Sequence, residues 1–508
     1  MIVDTVAGKV EGIDRGGVLQ FRGIPYAWAD RFCPPEPPAP WAGVRDATKF
    51  GPAAPQNPSP LDMILGSSRE QDMAEDCLVL NVFTPGADAA RRPVLVWIHG
   101  GGFTSGSGHM PAYNGTSLVC TADVVVVTFN YRLGVLGFLQ LDGLLDDYAG
   151  SANNGIRDQL AALRWVRDNI ADFGGDPQRV TIFGESAGGG SVTTLLACPE
   201  AAGLFHGAIV QSGTAEILLR PPAAADVAER ILHQLELTPA TADELLDVPA
   251  DEVLAAQTAV EATLLQTRPP TDGSGPGYLQ LPFQPVVDGD LIPQRPIPAI
   301  RAGSAAGIPL VVGTTKDEWN LFMLSELGRG PLSEERLRRR VERLAGPDAV
   351  DDVIALYRAV HPEASSNRLW CAMVTDRMFR MPAIQLAEAQ VGNCDDVSMY
   401  RFDHPSSAFG GLPGACHAID VPFVFGNVHL AGMEVLLGVV DEGTLQLADR
   451  CARAWLAMAQ TGRPQHDDLD WPSYDLERRA TCILHRKPAV IDDPEGEIRS
   501  FWNSRNLH

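Results

Sequence analysis

A serine flanked by small residues stands where an apolar, strand-like run meets a helix-like run. The order is Gly184-Glu185-Ser186-Ala187-Gly188, after RVTIF and before SVTTLLAC. Glycines on both sides permit a turn tight enough to lift a serine hydroxyl above the edge of a sheet. A helix that begins here directs backbone N–H groups and the positive end of its dipole towards the serine. The pattern predicts a nucleophile elbow with Ser186 as the nucleophile; the alternative is a glycine-rich turn with an incidental serine.

Three consecutive glycines lie upstream, directly after another strand-like run. Residues 97–103 read Trp-Ile-His-Gly-Gly-Gly-Phe. Without a Cβ atom, glycines let backbone N–H groups approach a substrate oxygen closely. We expect the amides of Gly101 and Gly102, with that of Ala187, to form an oxyanion hole for a tetrahedral intermediate. The alternative is a flexible glycine loop, and His99 is interpreted as a structural residue rather than a base.

An acid and a base are expected after the serine, because sites built on such an elbow have the chain order serine, acid, histidine. The strand-like run 308–315 ends just before Asp317 and Glu318, and either could supply the acid. Seven histidines follow Glu318. His417 lies in a loop after the turn GGLPG and before an apolar, strand-like run, whereas His404 ends a strand-like run. The residues alone leave both choices open.

These residues can meet only if a sheet brings their loops to one edge. Apolar runs of strand length alternate with runs of helical spacing, and the run 122–132 is rich in valine, as in strands buried on both faces. The alternation predicts an α/β fold with a parallel sheet. We expect one catalytic domain over residues 1–508, with helical insertions at 221–265 and 333–392. The strand-like runs are 77–84, 93–99, 122–132, 179–186, 207–213, 308–315 and 397–404, and the helix-like runs are 156–172 and 191–198.

Composition excludes several classes of partner. The 508 residues include 40 basic and 64 acidic ones, a net charge of −24, which disfavours nucleic acids and anionic membranes. The nine cysteines form no CxxC motif or Cys/His cluster, so we expect no metal site, and scattered thiols are typical of a reducing compartment. The N-terminus lacks the features of a signal peptide, and no apolar run approaches the roughly 18 residues of a membrane span. We therefore expect a cytoplasmic protein without a membrane or nucleic-acid partner.

Several segments resemble the type-B carboxylesterase family of α/β-hydrolases, which includes bacterial p-nitrobenzyl esterases, mammalian carboxylesterases and cholinesterases. Residues 173–188 match the family's nucleophile motif, and residues 75–85 its second motif, in which Val79 departs from the usual Tyr, Thr or Phe. Further similar segments occur in the expected order, so the resemblance covers nearly the whole chain. They are FRGIPYA (21–27), NYRLGVLGF (130–138), PVVDGDLIP (285–293) and VPFVFGN (421–427).

The resemblance implies an α/β-hydrolase fold and the triad Ser186, Glu318 and His417, with His404 as the runner-up base. A large, mostly parallel central sheet with helical cap insertions is expected. The implied reaction is hydrolysis of carboxylic esters through an acyl-enzyme on Ser186, without a metal or organic cofactor. A carbamate or amide hydrolase with the same triad is the alternative. A non-catalytic, cholinesterase-like binding protein is a further one, which the presence of all three residues disfavours.

The resemblance also implies residues behind the triad. Glu185 and Ser212 are expected there. Two buried ion pairs are expected as structural elements, and such pairs specify an arrangement more than they stabilise it. The pairs are Arg22 with Glu75 and Arg132 with Asp158.

Substrate preference is indicated by the loops around the site. Residues 51–77 contain no aromatic residue, whereas cholinesterases keep in that loop a tryptophan that would bind a quaternary ammonium group. The resemblance places Leu279 and Leu281 where cholinesterases carry phenylalanines, which implies a wider, aliphatic acyl site. We expect hydrophobic esters of small to medium size, aryl esters among them, and a monomer or a weak homodimer. The predicted lining residues are Phe103, Leu279, Leu281, Trp319, Leu321 and Phe322, the last three of which could alternatively pack beneath the pocket.

Overall fold

A large twisted sheet organises the molecule. The computed structural model describes residues 1–59, 72–213, 215, 217–267, 281–324 and 330–505. The strands in these ranges are β1 (Ile2–Thr5), β2 (Gly8–Glu11), β3 (Ile13–Arg15), β4 (Val18–Pro25), β5 (Val44–Asp46), β6 (Val79–Thr84), β7 (Arg92–Ile98), β8 (Val125–Phe129), β9 (Gly175–Glu185), β10 (Gly207–Gln211), β11 (Leu310–Thr315), β12 (Val397–Phe402), β13 (Ala480–Leu484) and β14 (Ala489–Asp492).

Eleven of these strands form the main sheet, in the order β3-β4-β6-β8-β7-β9-β10-β11-β12-β13-β14. The strands from β8 to β13 pair in parallel, and those outside them are antiparallel. The remaining strands, β1, β2 and β5, form a small separate sheet. The predicted large, mostly parallel sheet is therefore confirmed.

Helices cover both faces of the sheet. Residues of β7 alternate between two cores, since Val94 and Val96 pack into one and Leu95 and Trp97 into the other. No helix within the described ranges is long and apolar enough to cross a membrane. The α-helices are α1 (Thr116–Thr121), α2 (Gly134–Phe138), α3 (Asn154–Asn169), α4 (Ala187–Ala197), α5 (Pro221–Gln234), α6 (Ala250–Thr267), α7 (Pro296–Arg301), α8 (Trp319–Met323), α9 (Glu334–Ala345), α10 (Val350–Val360), α11 (Ser366–Thr375), α12 (Met381–Val391), α13 (Val421–Val424), α14 (Glu434–Leu437), α15 (Glu442–Thr461) and α16 (Gly496–Ser504).

The register of the central strands aligns their carboxyl ends. Glu185 at the end of β9 is opposite Gln211 at the end of β10, and Gln211 is in turn opposite Gly313 of β11. Segments that leave these strands therefore begin at one edge of the sheet, which is where ligands bind in open parallel sheets.

One local prediction was wrong. The apolar run that follows His417 forms the short helix α13 rather than a strand. Pro422 lies in its first turn, and proline suits that position because it has no N–H to donate and a φ already close to the helical value.

Candidate active site

The turn between β9 and α4 holds its serine in a strained conformation. Ser186 has φ 58° and ψ −121°, which few non-glycine residues adopt. Its N–H donates to the carbonyl of Gln211 (3.0 Å), and its own carbonyl accepts from the N–H of Gly190 (2.9 Å). A Cβ atom at Gly188 would lie 2.0 Å from the carbonyl oxygen of Ile98, so only glycine fits there. Packing and hydrogen bonds thus hold the strained turn in place, and the Ser186 side chain on it is half-buried.

The glycine loop lies directly against this serine. A Cβ atom on Gly100 would be 3.1 Å from Cβ of Ser186, and Gly101 and Gly102 have φ of 106° and 64°. The amides of Gly101, Gly102 and Ala187 donate to no protein group among the described residues. Ala187 is the first residue of α4, where helix N–H groups have no partner within the helix. Three amides are therefore available for an acceptor close to the serine.

A buried histidine that borders the cavity beside Ser186 is held from behind by a buried glutamate. Nδ1 of His417 lies 2.6 Å from Oε2 of Glu318, while Oε1 of Glu318 accepts from Oγ of Ser212 (2.6 Å) and from the N–H of Thr315 (2.8 Å). Nδ1 is therefore the protonated nitrogen of the neutral imidazole. Nε2 has no hydrogen-bond partner in the described part of the chain, and His417 and Ser186 line one small cavity.

The rival acid and base lie elsewhere. Oδ2 of Asp317 accepts from the N–H of Ala415 (2.9 Å), and the backbone N–H of Asp317 donates to the carbonyl of Ala415 (2.8 Å). Asp317 thus fastens the loop that carries His417 instead of contacting its ring. His404 packs edge-on against Phe423, with ring centroids 5.7 Å apart. The structure joins Glu318 to His417, which shares a cavity with Ser186.

A second carboxylate lies on the other side of the histidine ring. Oε1 of Glu185 is 3.1 Å from Nε2 of His417, without the orientation of a hydrogen bond. Burial raises the pKa of Glu185 to about 8, although a protonated His417 opposes this shift. Burial lowers the pKa of His417, but Glu185 and Glu318 outweigh it and raise the pKa to about 9. The protonation of His417 and that of Glu185 therefore depend on each other.

A third buried acid was missed by the sequence analysis. Oδ2 of Asp420 accepts from the hydroxyl of Tyr400 (2.8 Å) and from Nε2 of Gln211 (3.1 Å), and burial raises the pKa of Asp420 to about 6. Its charge also favours the protonated form of His417. The available signal was an acidic residue three positions after that histidine, within an otherwise apolar run.

The predicted lining residues on the glycine-loop side differ in position. Leu281 is half-buried, and its Cδ2 would lie 3.4 Å from a Cβ atom on Gly102, so it borders the glycine loop. Phe103 is fully buried and packs against Phe138 at 5.1 Å, which places it beneath the surface of the site. Leu279 lies outside the described residues.

The predicted lining residues on α8 also differ in position. The ring of Phe322 is 5.3 Å from that of His417 and 4.7 Å from that of Trp319. Leu321 packs into the core on the other face of the sheet from the core that Trp319 joins. Phe379, which the sequence analysis did not single out, lies 5.1 Å from His417.

One of the two expected ion pairs is present. Arg132 and Asp158 are both buried and form a bidentate pair, with Nη2–Oδ1 at 2.7 Å and Nε–Oδ2 at 2.9 Å. The expected pair of Arg22 with Glu75 is wrong. Glu75 binds Arg31, with Nε–Oε2 at 3.0 Å, and the guanidinium of Arg22 lies over an aromatic ring instead.

Potential metal ligands are dispersed in the described part of the chain. No group of three or more His, Cys, Asp or Glu side chains there is arranged to bind a metal ion. All nine cysteines lie within the described ranges and are free thiols.

Comparisons with known proteins show which family the chain resembles over its whole length. A family model described as "Carboxylesterase family" matches residues 1–502. The chain is 40% identical to the para-nitrobenzyl esterase of Bacillus subtilis, over 98% of this chain and 97% of that protein. It is 34% identical to the phenmedipham hydrolase of Pseudarthrobacter oxydans, over 96% of each. A crystal structure of a Geobacillus stearothermophilus carboxylesterase superposes with a TM-score of 0.87 at 42% identity, over 99% of both chains.

Proposed function

Since the chain belongs to the carboxylesterase family and is a carboxylic ester hydrolase with an α/β-hydrolase fold, we propose that it cleaves esters through an acyl-enzyme formed on Ser186. The observation that supports this proposal is the position of His417, between Glu318 and the cavity that Ser186 lines. Nδ1 of His417 is held by Glu318, and Nε2 has no partner in the described part of the chain in a cavity that Ser186 also lines. That arrangement supplies a base next to a nucleophile.

In the proposed reaction, Nε2 of His417 accepts the hydroxyl proton of Ser186 as Oγ attacks the ester carbonyl carbon. Glu318 keeps the ring in the correct tautomer and stabilises the imidazolium. The N–H groups of Gly101, Gly102 and Ala187 donate to the oxyanion of the tetrahedral intermediate. The alcohol leaves with the proton from Nε2, and water then repeats the sequence on the acyl-enzyme.

The proposed substrates are hydrophobic esters of small to medium size, aryl esters among them. Leu281 beside the glycine loop and the phenyl ring of Phe322 beside His417 support an apolar site. A relative whose name says that it acts on para-nitrobenzyl esters supports aromatic groups. A carbamate or amide hydrolase with the same triad remains the alternative. We further propose a cytoplasmic monomer or weak homodimer whose partner is a small-molecule ester rather than a nucleic acid or a membrane, in line with the net charge of −24 and the free thiols.

The test is hydrolysis of p-nitrophenyl butyrate by the wild type and Ser186→Ala. We expect the variant to lose about 10³-fold or more in kcat, because the nucleophile acts as a unit with its base. Ser191→Ala is the matched control: it changes a buried serine of α4 that accepts a hydrogen bond from Gln159, and it should keep wild-type turnover. Turnover by Ser186→Ala at the wild-type rate would refute the proposal. A folded wild type that neither hydrolyses esters nor reacts with a fluorophosphonate would favour a binding protein.

A further inference from the structure

Two phenyl rings contact the imidazole of His417. The ring centroid of Phe379 lies 5.1 Å from it at an interplanar angle of 51°, and that of Phe322 lies 5.3 Å away at 42°. The phenyl rings are 6.4 Å apart and nearly parallel, at 17°. His417 is 1% exposed and Phe379 is equally buried. At such distances the negative face of an aromatic ring attracts a cation, and the attraction is strongest where water is excluded.

The position of Phe379 depends on an unusual backbone. It lies in the π-helical turn Asp376–Arg380, which joins α11 to α12. Such turns insert an extra residue into a helix and occur often at functional sites. The hydroxyl of Thr375, just before the turn, accepts from the N–H of Trp319 (3.1 Å), the first residue of the helix that carries Phe322. The two phenyl rings are therefore carried by elements that are bonded to each other.

Buried polar groups anchor both ends of this turn. Oδ2 of Asp376 accepts from the hydroxyl of Tyr357 (2.7 Å), which in turn accepts from Nε1 of Trp502 in the last helix (2.9 Å). Nη2 of Arg380 donates to the hydroxyl of Thr481 in β13 (3.4 Å). Such groups are expensive to leave unpaired in a protein interior, so they hold the turn, and with it Phe379, against the histidine.

We propose that Phe379 is a positioning residue for the catalytic base, holding the ring of His417 in place and stabilising its imidazolium form through the face of its own ring. This inference rests on the proposed function. His417 must be neutral before Ser186 attacks the ester, and during acylation its ring carries the proton taken from Ser186. A phenyl face beside the ring favours that charged form without accepting a hydrogen bond, so Nε2 stays available for the serine.

A purely space-filling role for Phe379 makes the opposite prediction. Leucine at this position would remove the ring face and leave room for water beside the imidazole. If the phenyl ring only excluded water, its loss would ease the burial of the charge and raise the pKa of His417. If its face stabilises the imidazolium, its loss lowers that pKa. The substitution changes none of the titratable groups that face His417 or lie behind Phe379, which are Glu185, Glu318, Asp420, Asp376, Arg380 and Glu495.

The experiment compares the wild type, Phe379→Leu and Phe173→Leu. Phe173 is fully buried and packs against Phe21 far along the chain from the site, which makes its variant a control for general loss of core packing. The readouts are kcat and KM for p-nitrophenyl butyrate against pH, and an NMR titration of ¹³C-labelled histidine, with the His417 signal identified from its loss in His417→Gln. For Phe379→Leu we expect the His417 pKa to fall by about 0.5–1 unit and the high-pH plateau of kcat to fall about threefold to tenfold, with KM within twofold.

An unchanged or raised pKa for Phe379→Leu would overturn the proposal, as would a rise in KM at constant kcat, which indicates a substrate-lining residue. If Phe379→Leu does not fold, Phe379→Met fills a similar volume without the ring and is judged by the same criteria. The NMR titration needs no turnover, so its outcome is independent of the Ser186→Ala assay that tests the proposed function.

Discussion

Replacing Glu185 with glutamine removes a buried carboxylate whose Oε1 lies 3.1 Å from Nε2 of His417, and it leaves the shape of the side chain almost unchanged. Two unit charges at that distance interact by about 1.3 kcal/mol in bulk water and about 5 kcal/mol at an effective dielectric constant of 20. Burial raises the pKa of Glu185 to about 8, so the carboxyl group is largely neutral at pH 7 whenever the histidine is neutral. Because the carboxyl group is charged during only part of the histidine titration, the realised difference lies below about 5 kcal/mol, and we expect a shift of about one pKa unit, or about 1.4 kcal/mol.

The sign of the effect follows from which form of the histidine is active. His417 must be neutral to accept the proton of Ser186, so its pKa of about 9 limits activity on the acid side. Glu185→Gln lowers that pKa by about one unit, because the charged ring loses a neighbouring carboxylate. The acid limb of kcat/KM should shift by the same amount to lower pH. The plateau at high pH should fall, because the imidazolium formed during acylation is less stabilised.

The assay is kcat/KM for p-nitrophenyl butyrate from pH 5.5 to 10, corrected for spontaneous hydrolysis. Glu200→Gln is the matched control, since Glu200 is exposed and pairs with Arg164, and its profile should coincide with that of the wild type. An acid limb for Glu185→Gln that stays in place would show that Glu185 is neutral throughout the titration. A shift to higher pH would refute the electrostatic reasoning altogether.

Three further changes test the framework around the site. Asp317→Ala frees the backbone amide that holds the histidine loop, and we expect kcat to fall about tenfold at nearly constant KM, with a rise in KM alone counting against this role. Asp158→Asn leaves the buried Arg132 without its counter-charge, and urea denaturation should show a loss of about 3–5 kcal/mol in unfolding free energy; an unchanged midpoint would contradict the expectation. Gly188→Ala places a Cβ atom 2.0 Å from a backbone oxygen of β7 and should give insoluble or inactive protein, whereas Gly392→Ala, whose Cβ would meet nothing within 4 Å, should behave as wild type in the same expression and turnover assays.

The central strands were predictable because burial on both faces leaves an unbroken apolar run, which local sequence displays directly. The elbow at Ser186 and the glycine loop were predictable for a similar reason, since tight turns require small residues at adjacent positions. The helix after His417 was not predictable, because a short apolar run has no clear period that separates a strand from a helix.

The arrangement around the histidine was only partly predictable. The resemblance pointed to Glu318 and His417, but the residues alone left Asp317 and His404 open. The contact of Phe379 with His417 could not be predicted, because it joins elements that are distant in sequence and depends on a π-helical turn. Long side chains created a different error: Glu75 pairs with Arg31 rather than Arg22, and sequence alone does not decide which pair forms.

The parts of the site arrive from successive strands of the parallel sheet: the glycine loop after β7, the serine after β9, Ser212 after β10, the glutamate after β11 and the histidine loop after β12. Contacts between such distant segments form late and slowly during folding, because long loops must close first. Turnover is therefore a stringent reporter of refolding. A chain that has regained its helices but not the docking of β7 through β12 should have most of its far-ultraviolet circular dichroism and no activity. The rate at which activity returns should therefore report the last long-range step of folding.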